Sequence, residues 1–134
     1  MPNVAQKIQL THVHEQSATM TEFAGFKMPL FYEGIISEHL AVRNEAGIFD
    51  ISHMGRVLIS GEDAERFLNQ VITNDVSKLL PNSALYSVMC TESGGIVDDF
   101  IVYRLAPQKF IVVFNAGNRR NEYSRGVPVA RRYL

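Results

Sequence analysis

Asp98 and Asp99 are consecutive carboxylates set inside an apolar run, between Ile96-Val97 and Phe100-Ile101-Val102-Tyr103. Side chains alternate across a strand, so a strand here sends the two carboxylates to opposite faces. With apolar neighbours, at least one of them is expected to be partly buried. A buried carboxylate is costly unless it is paired or neutralised. Two readings follow. In the first, the acid caps the Gly94-Gly95 turn or pairs with a cation such as Arg104. In the second, its pKa is raised and it is poised to hydrogen-bond to a ligand or to accept a proton.

Other groups could also carry chemistry. Asp50-Ile51-Ser52-His53-Met54-Gly55 places a carboxylate, a hydroxyl and an imidazole side by side. Nucleophilic catalysis needs geometry that adjacency does not supply, and the plainer reading of His53 is a structural hydrogen-bonder. His12 and His14 share a face if that stretch is extended, but no third ligand is in sight for a metal. His39 falls on a helical stripe and reads as a packed, satisfied histidine. Asn115 ends an apolar strand before Ala116-Gly117-Asn118; it is either a turn former or an amide for a flat polar ring. Tyr86 and Tyr103 read more simply as core than as a stacking platform. Gly94-Gly95 lacks the third glycine and following helix of a dinucleotide fingerprint, and there is no P-loop.

The elements that must position these groups follow from periodicity. Residues 20–32 mix aromatic and aliphatic residues with Gly25 and Pro29, which predicts short extended pieces and a turn. Ile35, His39, Val42 and Ala46 recur at helical spacing, with Gly47 placed to stop that helix in a left-handed conformation. Ile48-Phe49-Asp50 and Val57-Leu58-Ile59 predict strands. Ser60-Gly61-Glu62-Asp63 reads as a helix start, followed by the stripe Ala64, Phe67, Leu68 and Val71. Thr73-Asn74-Asp75 ends that helix or caps a short turn. Strands are predicted at 84–91, 96–105 and 109–115, the last two as a hairpin. Phe110-Ile111-Val112-Val113-Phe114 is apolar on both faces and wants cover on both sides. The pattern is α+β, with two helices packed on a mostly antiparallel sheet.

Composition narrows the function classes. The chain has 134 residues, 46% of them hydrophobic and 20% charged, enough for one domain with a real core. No apolar run approaches the ~18 residues that span a bilayer, and the N-terminal residues do not read as a targeting signal. A cytoplasmic setting is therefore expected, or the mitochondrial matrix in a eukaryote. The net charge of −1 hides an asymmetry: residues 1–118 carry −5 and residues 119–134 carry +4. The acidic body is a poor nucleic-acid surface. Cys90 is the single cysteine, which excludes an intrachain disulfide and zinc-finger chemistry; it reads as a small buried hydrophobe.

Seven motifs in register go further. They are Phe23-Ala24-Gly25-Phe26-Lys27-Met28-Pro29-Leu30, Glu38-His39-Leu40-Ala41-Val42-Arg43, Phe49-Asp50-Ile51-Ser52-His53-Met54-Gly55, Thr73-Asn74-Asp75-Val76, Tyr86-Ser87-Val88-Met89, Gly94-Gly95-Ile96-Val97-Asp98-Asp99-Phe100-Ile101-Val102-Tyr103 and Asn115-Ala116-Gly117-Asn118. Over about residues 10 to 118 the chain resembles the N-terminal part of the three-domain T-proteins of the glycine cleavage system, the tetrahydrofolate-dependent aminomethyltransferases. The resemblance implies transfer of a one-carbon unit from the aminomethyl-lipoyl arm of the H-protein to tetrahydrofolate, with release of ammonia. It implies Asp99 as the catalytic carboxylate at the reacting end of the pterin. It also implies Met54, Tyr86, Tyr103 and Asn115 as residues lining the folate pocket. It implies lipoylated H-protein and folate as partners, and no metal.

The chain departs from that family in three respects. Phe26 stands where Trp is usual, and the stretch around Ser17-Ala18 is about one residue short. Family members are nearly three times longer, with pocket walls contributed by segments absent here. The expected organisation is a folate-binding region over 1–118, incomplete relative to the family, and a divergent Arg-rich tail over 119–134 with a non-native or frame-shifted origin. The alternatives are a non-transferring folate-binding relative of the same fold, of the iron–sulfur assembly type, or an inactive fragment.

Overall fold

The computed structural model describes residues 4–118. The chain divides between His53 and Met54 into two compact units, each with its own sheet.

The first unit carries β1 (Gln6–Lys7), α1 (Thr11–His14), β2 (Thr19–Phe23), β3 (Phe26–Phe31) and α2 (Ile35–Asn44). Its three strands lie in the order β1-β3-β2, with β2 antiparallel and β1 parallel to β3. The expected turn between two extended pieces is a tight hairpin. Ala24 and Gly25 both have positive φ, 51° and 79°, as a primed two-residue turn demands. The Glu38 carboxylate reaches back to accept the backbone N–H groups of Tyr32, Glu33 and Gly34 at 2.6, 2.9 and 3.1 Å, satisfying donors just ahead of α2.

Three expectations fail in this unit. The helix ends at Asn44, and Gly47 is not left-handed. A Cβ at Gly47 would lie 2.6 Å from Val42 Cγ2, so the glycine serves a close approach there. Ile48-Phe49-Asp50 forms no strand. No residue of α2 is buried, and His39 is exposed rather than packed, because the apolar residues of the helix are spread around it and form no single stripe that could be buried.

The second unit carries β4 (Gly55–Ser60), α3 (Ala64–Val71), β5 (Ser83–Cys90), β6 (Ile96–Ala106) and β7 (Lys109–Phe114). All pairings are antiparallel, in the order β4-β7-β6-β5. The three predicted strands at 84–91, 96–105 and 109–115 are present within a residue or two of those limits. Phe100, Val102, Phe110, Val112 and Phe114 point to one face and pack with Ala64, Leu68, Ile72, Val76 and Leu79 into the core. The stripe on α3 is thus the cover that the sheet required. Asp75 caps the short 3₁₀ turn Val76–Lys78, its carboxylate accepting the Ser77 N–H at 3.0 Å.

The alternation of β6 decides where chemistry can sit. Asp98, Phe100 and Val102 are buried on the core face, while Asp99, Ile101 and Tyr103 lie on the other. Cys90 is exposed, against expectation: the register slips between Met89 and Cys90, and the strand ends there with Cys90 opposite Ile96.

Candidate functional site

Register brings the second face of the sheet together from four strands. Val88 stands opposite Asp99 and Tyr86 opposite Ile101. Ile101 stands opposite Val113 and Tyr103 opposite Ile111, and Ile111 opposite Leu58. Tyr86 is 60% exposed and Tyr103 40% exposed, so among the described residues this face carries aromatic and aliphatic side chains with no core built over them. The expectation that both tyrosines are core residues is corrected accordingly. Ile111 and Val113 share this face and were not singled out from the sequence. Inside an apolar strand nothing but register tells an inward from an outward residue.

Asp99 sits at one end of the face. Tyr86 Oη donates to its Oδ2 at 2.9 Å, and Asn115 Nδ2 donates to its Oδ1 at 3.0 Å. That hydrogen bond, first of all, holds the Tyr86 phenol above its ordinary pKa; burial and the charges of Asp99 and Asp98 act the same way. Tyr86 is therefore a fixed donor at neutral pH. The acid pair is partnered by an amide rather than by Arg104. That arginine donates to the carbonyls of Leu79 and Pro107 and pairs with Glu65 at 2.8 Å.

Asn115 follows the last residue of β7, and Met54 precedes the first residue of β4. These two strands end in the register pair Gly55–Phe114, so Met54 and Asn115 leave the sheet at the same edge as Asp99. Tyr103 shares the face with Asp99 but lies four residues along β6, about 13 Å at the usual rise of a strand. The Asn115 Nδ2 group is committed to Asp98 and Asp99, which leaves its Oδ1 as the edge that can meet a ligand. A flat heteroaromatic ring with N–H donors on its rim fits these groups: an apolar floor, a carboxylate, an amide oxygen and a phenol at one end.

The other chemically suggestive residues lie in the first unit and form a different constellation. Asp50 accepts a 3.1 Å hydrogen bond from His14 Nε2, and His14 Nδ1 lies 2.6 Å from Tyr32 Oη. Asp50 also accepts the N–H groups of Leu10 and Ser52. Burial works against its charged form, but the Ser52, His14 and Leu10 hydrogen bonds outweigh that and hold the carboxyl at about 2. The Ser52 hydroxyl accepts the Gln9 N–H, and the His53 ring stands edge-on to Phe23 and Phe26. The adjacent Asp, Ser and His are thus not a nucleophilic triad. His12 and His14 lie in a helical turn, not an extended stretch, and the described residues hold no metal-ligating group of three His, Cys, Asp or Glu.

A family model for the GCVT N-terminal domain matches residues 10–125. The chain belongs to that family. This GCVT N-terminal domain chain is 47% identical over 119 residues to an aminomethyltransferase of Desulforamulus reducens, covering 88% of the chain and 33% of the relative. It is 48% identical over 107 residues to one of Caldanaerobacter subterraneus, covering 80% of the chain and 29% of the relative. Among solved structures, the glycine cleavage system aminomethyltransferase T of Bartonella henselae superposes with a TM-score of 0.89 at 38% identity. That match covers 94% of this chain and 36% of the other. The α+β architecture is thus that of the N-terminal part of the aminomethyltransferase fold. The chain spans about a third of the length of the curated relatives it matches. The matched span also runs past Asn118 into the Arg-rich segment, whose structure lies outside the described residues.

Proposed function

We propose that this chain carries the folate-binding and catalytic carboxylate region of a glycine cleavage aminomethyltransferase. In this reading the reaction moves the one-carbon unit of aminomethyl-lipoyl H-protein to tetrahydrofolate and releases ammonia, in a reducing, cytoplasmic setting. The observation that carries it is Asp99, held at the end of an open apolar face by Tyr86 and Asn115. The aminomethyltransferase names of its relatives supply the class of reaction.

Bound tetrahydrofolate supplies the nucleophilic nitrogen that takes up the carbon. The residues supply the rest. A carboxylate has about four acceptor sites, and Asp99 spends one on Tyr86 and one on Asn115, so it keeps capacity for a ligand N–H or a proton. Its orientation is fixed before a ligand arrives, which lowers the cost of reaching the reactive geometry. Met54 brings an adaptable thioether to the same edge, suited to the face of a ring. Tyr86, Tyr103, Ile111 and Val113 provide an apolar floor.

The test is a pair of measurements on Asp99→Asn. Tetrahydrofolate binding, followed by calorimetry, should persist. Transfer from aminomethyl-lipoyl H-protein should be mostly lost. Near-normal transfer by the variant would sink the assignment.

A further inference from the structure

Asp98 is the half of the acid pair with no ligand-facing role, yet it is only 5% exposed and sits on the core face among Phe100 and Val102. A buried carboxylate needs strong partners. Those partners are on one residue: the Asn115 backbone N–H donates to Asp98 Oδ2 at 3.3 Å, and Asn115 Nδ2 donates to Asp98 Oδ1 at 3.0 Å. The same Nδ2 lies 3.0 Å from the Asp99 carbonyl and 3.0 Å from Asp99 Oδ1. One amide group with two protons therefore serves three acceptors. Only one orientation of the amide is tolerable, because the flipped form would aim its oxygen at all three. Asp98 thus decides which end of Asn115 faces Asp99 and which end faces the open side of the sheet.

We propose that Asp98 is a positioning residue for Asp99, acting from the core face through the Asn115 side chain. This inference rests on the functional reading of Asp99 for its consequence in catalysis, but the coupling itself can be measured without any ligand. With Asp98 neutral, Asn115 loses its anchor, its amide no longer has a single favoured orientation, and Asp99 loses a fixed donor. The coupling explains why two carboxylates stand side by side in an apolar strand: one meets the ligand and the other fixes the group that holds it.

The experiment uses Asp98→Asn, Asn115→Ala and the double variant of the full chain. The readout is the alkaline titration of the Tyr86 phenol, isolated as the difference from the same chains bearing Tyr86→Phe. Each single variant should move the Tyr86 midpoint down, and the double variant should move it by clearly less than the sum of the two single shifts, the charge of Asp98 also acting directly on the phenol. An unchanged midpoint in Asp98→Asn overturns the proposal. So does an additive shift in the double variant, since Asp98 would then act only as a nearby charge. If far-UV circular dichroism shows that Asp98→Asn is unfolded, Asp98→Ser takes its place with the same expected outcomes. Transfer assays run in parallel separate the two readings. Asp98→Asn should lose on the order of tenfold or more in kcat with little change in KM for tetrahydrofolate, as misorientation of a reacting group does. Intact transfer in Asp99→Asn, with the Tyr86 shifts as expected, removes the functional reading and leaves the coupling standing. Lost transfer in Asp99→Asn beside unchanged kcat in Asp98→Asn removes the positioning role.

Discussion

Tyr86 and Asp99 are joined by a 2.9 Å hydrogen bond although they are not register partners: Tyr86 faces Ile101 and Asp99 faces Val88 across the β5–β6 seam. The contact is diagonal, reachable only by a side chain as long as tyrosine's. It leaves the phenol with a carboxylate for a neighbour, so losing the phenolic proton would place two negative charges together.

A titration follows from that pair. The Tyr86 phenol should ionise above its ordinary pKa of 10.0 in the native chain, with the Asp99 hydrogen bond the largest cause. Asp99→Asn should bring the midpoint down toward the ordinary value. Ultraviolet absorbance titration, with Tyr86→Phe as the blank, reads it directly. A midpoint unmoved by the substitution would show that the bond does not hold the proton.

Removing the phenol oxygen should separate function from stability. Tyr86 is largely exposed, so Tyr86→Phe should change unfolding free energy by less than about 1 kcal/mol. Asp99 nevertheless loses the Tyr86 donor and keeps Asn115, and transfer should fall by about tenfold. Thermal melts and transfer rates on the same preparation test both halves. Loss of stability in proportion to loss of rate would speak against a site role.

Acid should act through Asp50. Its carboxyl is lowered from 3.8 to about 2, and its side chain is 5% exposed. A depressed folded-state pKa adds stability that is fully present above the unfolded value of 3.8 and is lost as pH falls through about 2. The gap corresponds to about 2 kcal/mol. Asp50→Asn should therefore be less stable than the native chain by about that amount at pH 6, and the difference should shrink between pH 4 and 2. Urea unfolding of both proteins at several pH values measures it. A difference that stays constant with pH would mean that the charge of Asp50 is not what stabilises the unit.

The parts of the fold that were legible in the sequence are those where local pattern and tertiary need agree. The stripe Ala64, Phe67, Leu68 and Val71 predicts a covering helix, and the long apolar strands need one, so α3 and β5–β7 could be read directly. Gly47 shows the limit. Its spacing fits a left-handed helix stop, but the helix ends three residues earlier, and the glycine is there because Val42 comes too close for a Cβ. Cys90 shows another: its apolar neighbours predict burial, and one slip in register exposes it. In the site, the chemistry of Asp98-Asp99 was visible as an oddity, but its partner was not. Arg104 is the natural counter-charge by sequence, yet strand direction puts it six residues along β6, tied to Glu65, while the chain's return through β7 delivers Asn115.

That return depends on a close approach at Gly55, where an added Cβ would run into the Phe114 ring. Gly55 is not among the residues with positive φ, so the constraint is steric rather than conformational. Phe114 is 2% exposed and packed in the core, and it cannot yield without displacing its neighbours. Gly55→Ala should cost about 1–3 kcal/mol by overpacking, read as a lower thermal midpoint. The same register pair immediately precedes Asn115 on β7 and follows Met54 on β4, so the displacement should propagate to the site. Tetrahydrofolate affinity should then fall even at temperatures where the variant is fully folded. Gly61→Ala is the control. That glycine has a φ of 126° with nothing within 4 Å of the added Cβ, so its cost is backbone strain at the far end of β4. It should lower the thermal midpoint while leaving tetrahydrofolate affinity intact. Equal loss of affinity in both variants would show that general destabilisation, and not the Gly55–Phe114 contact, governs the site.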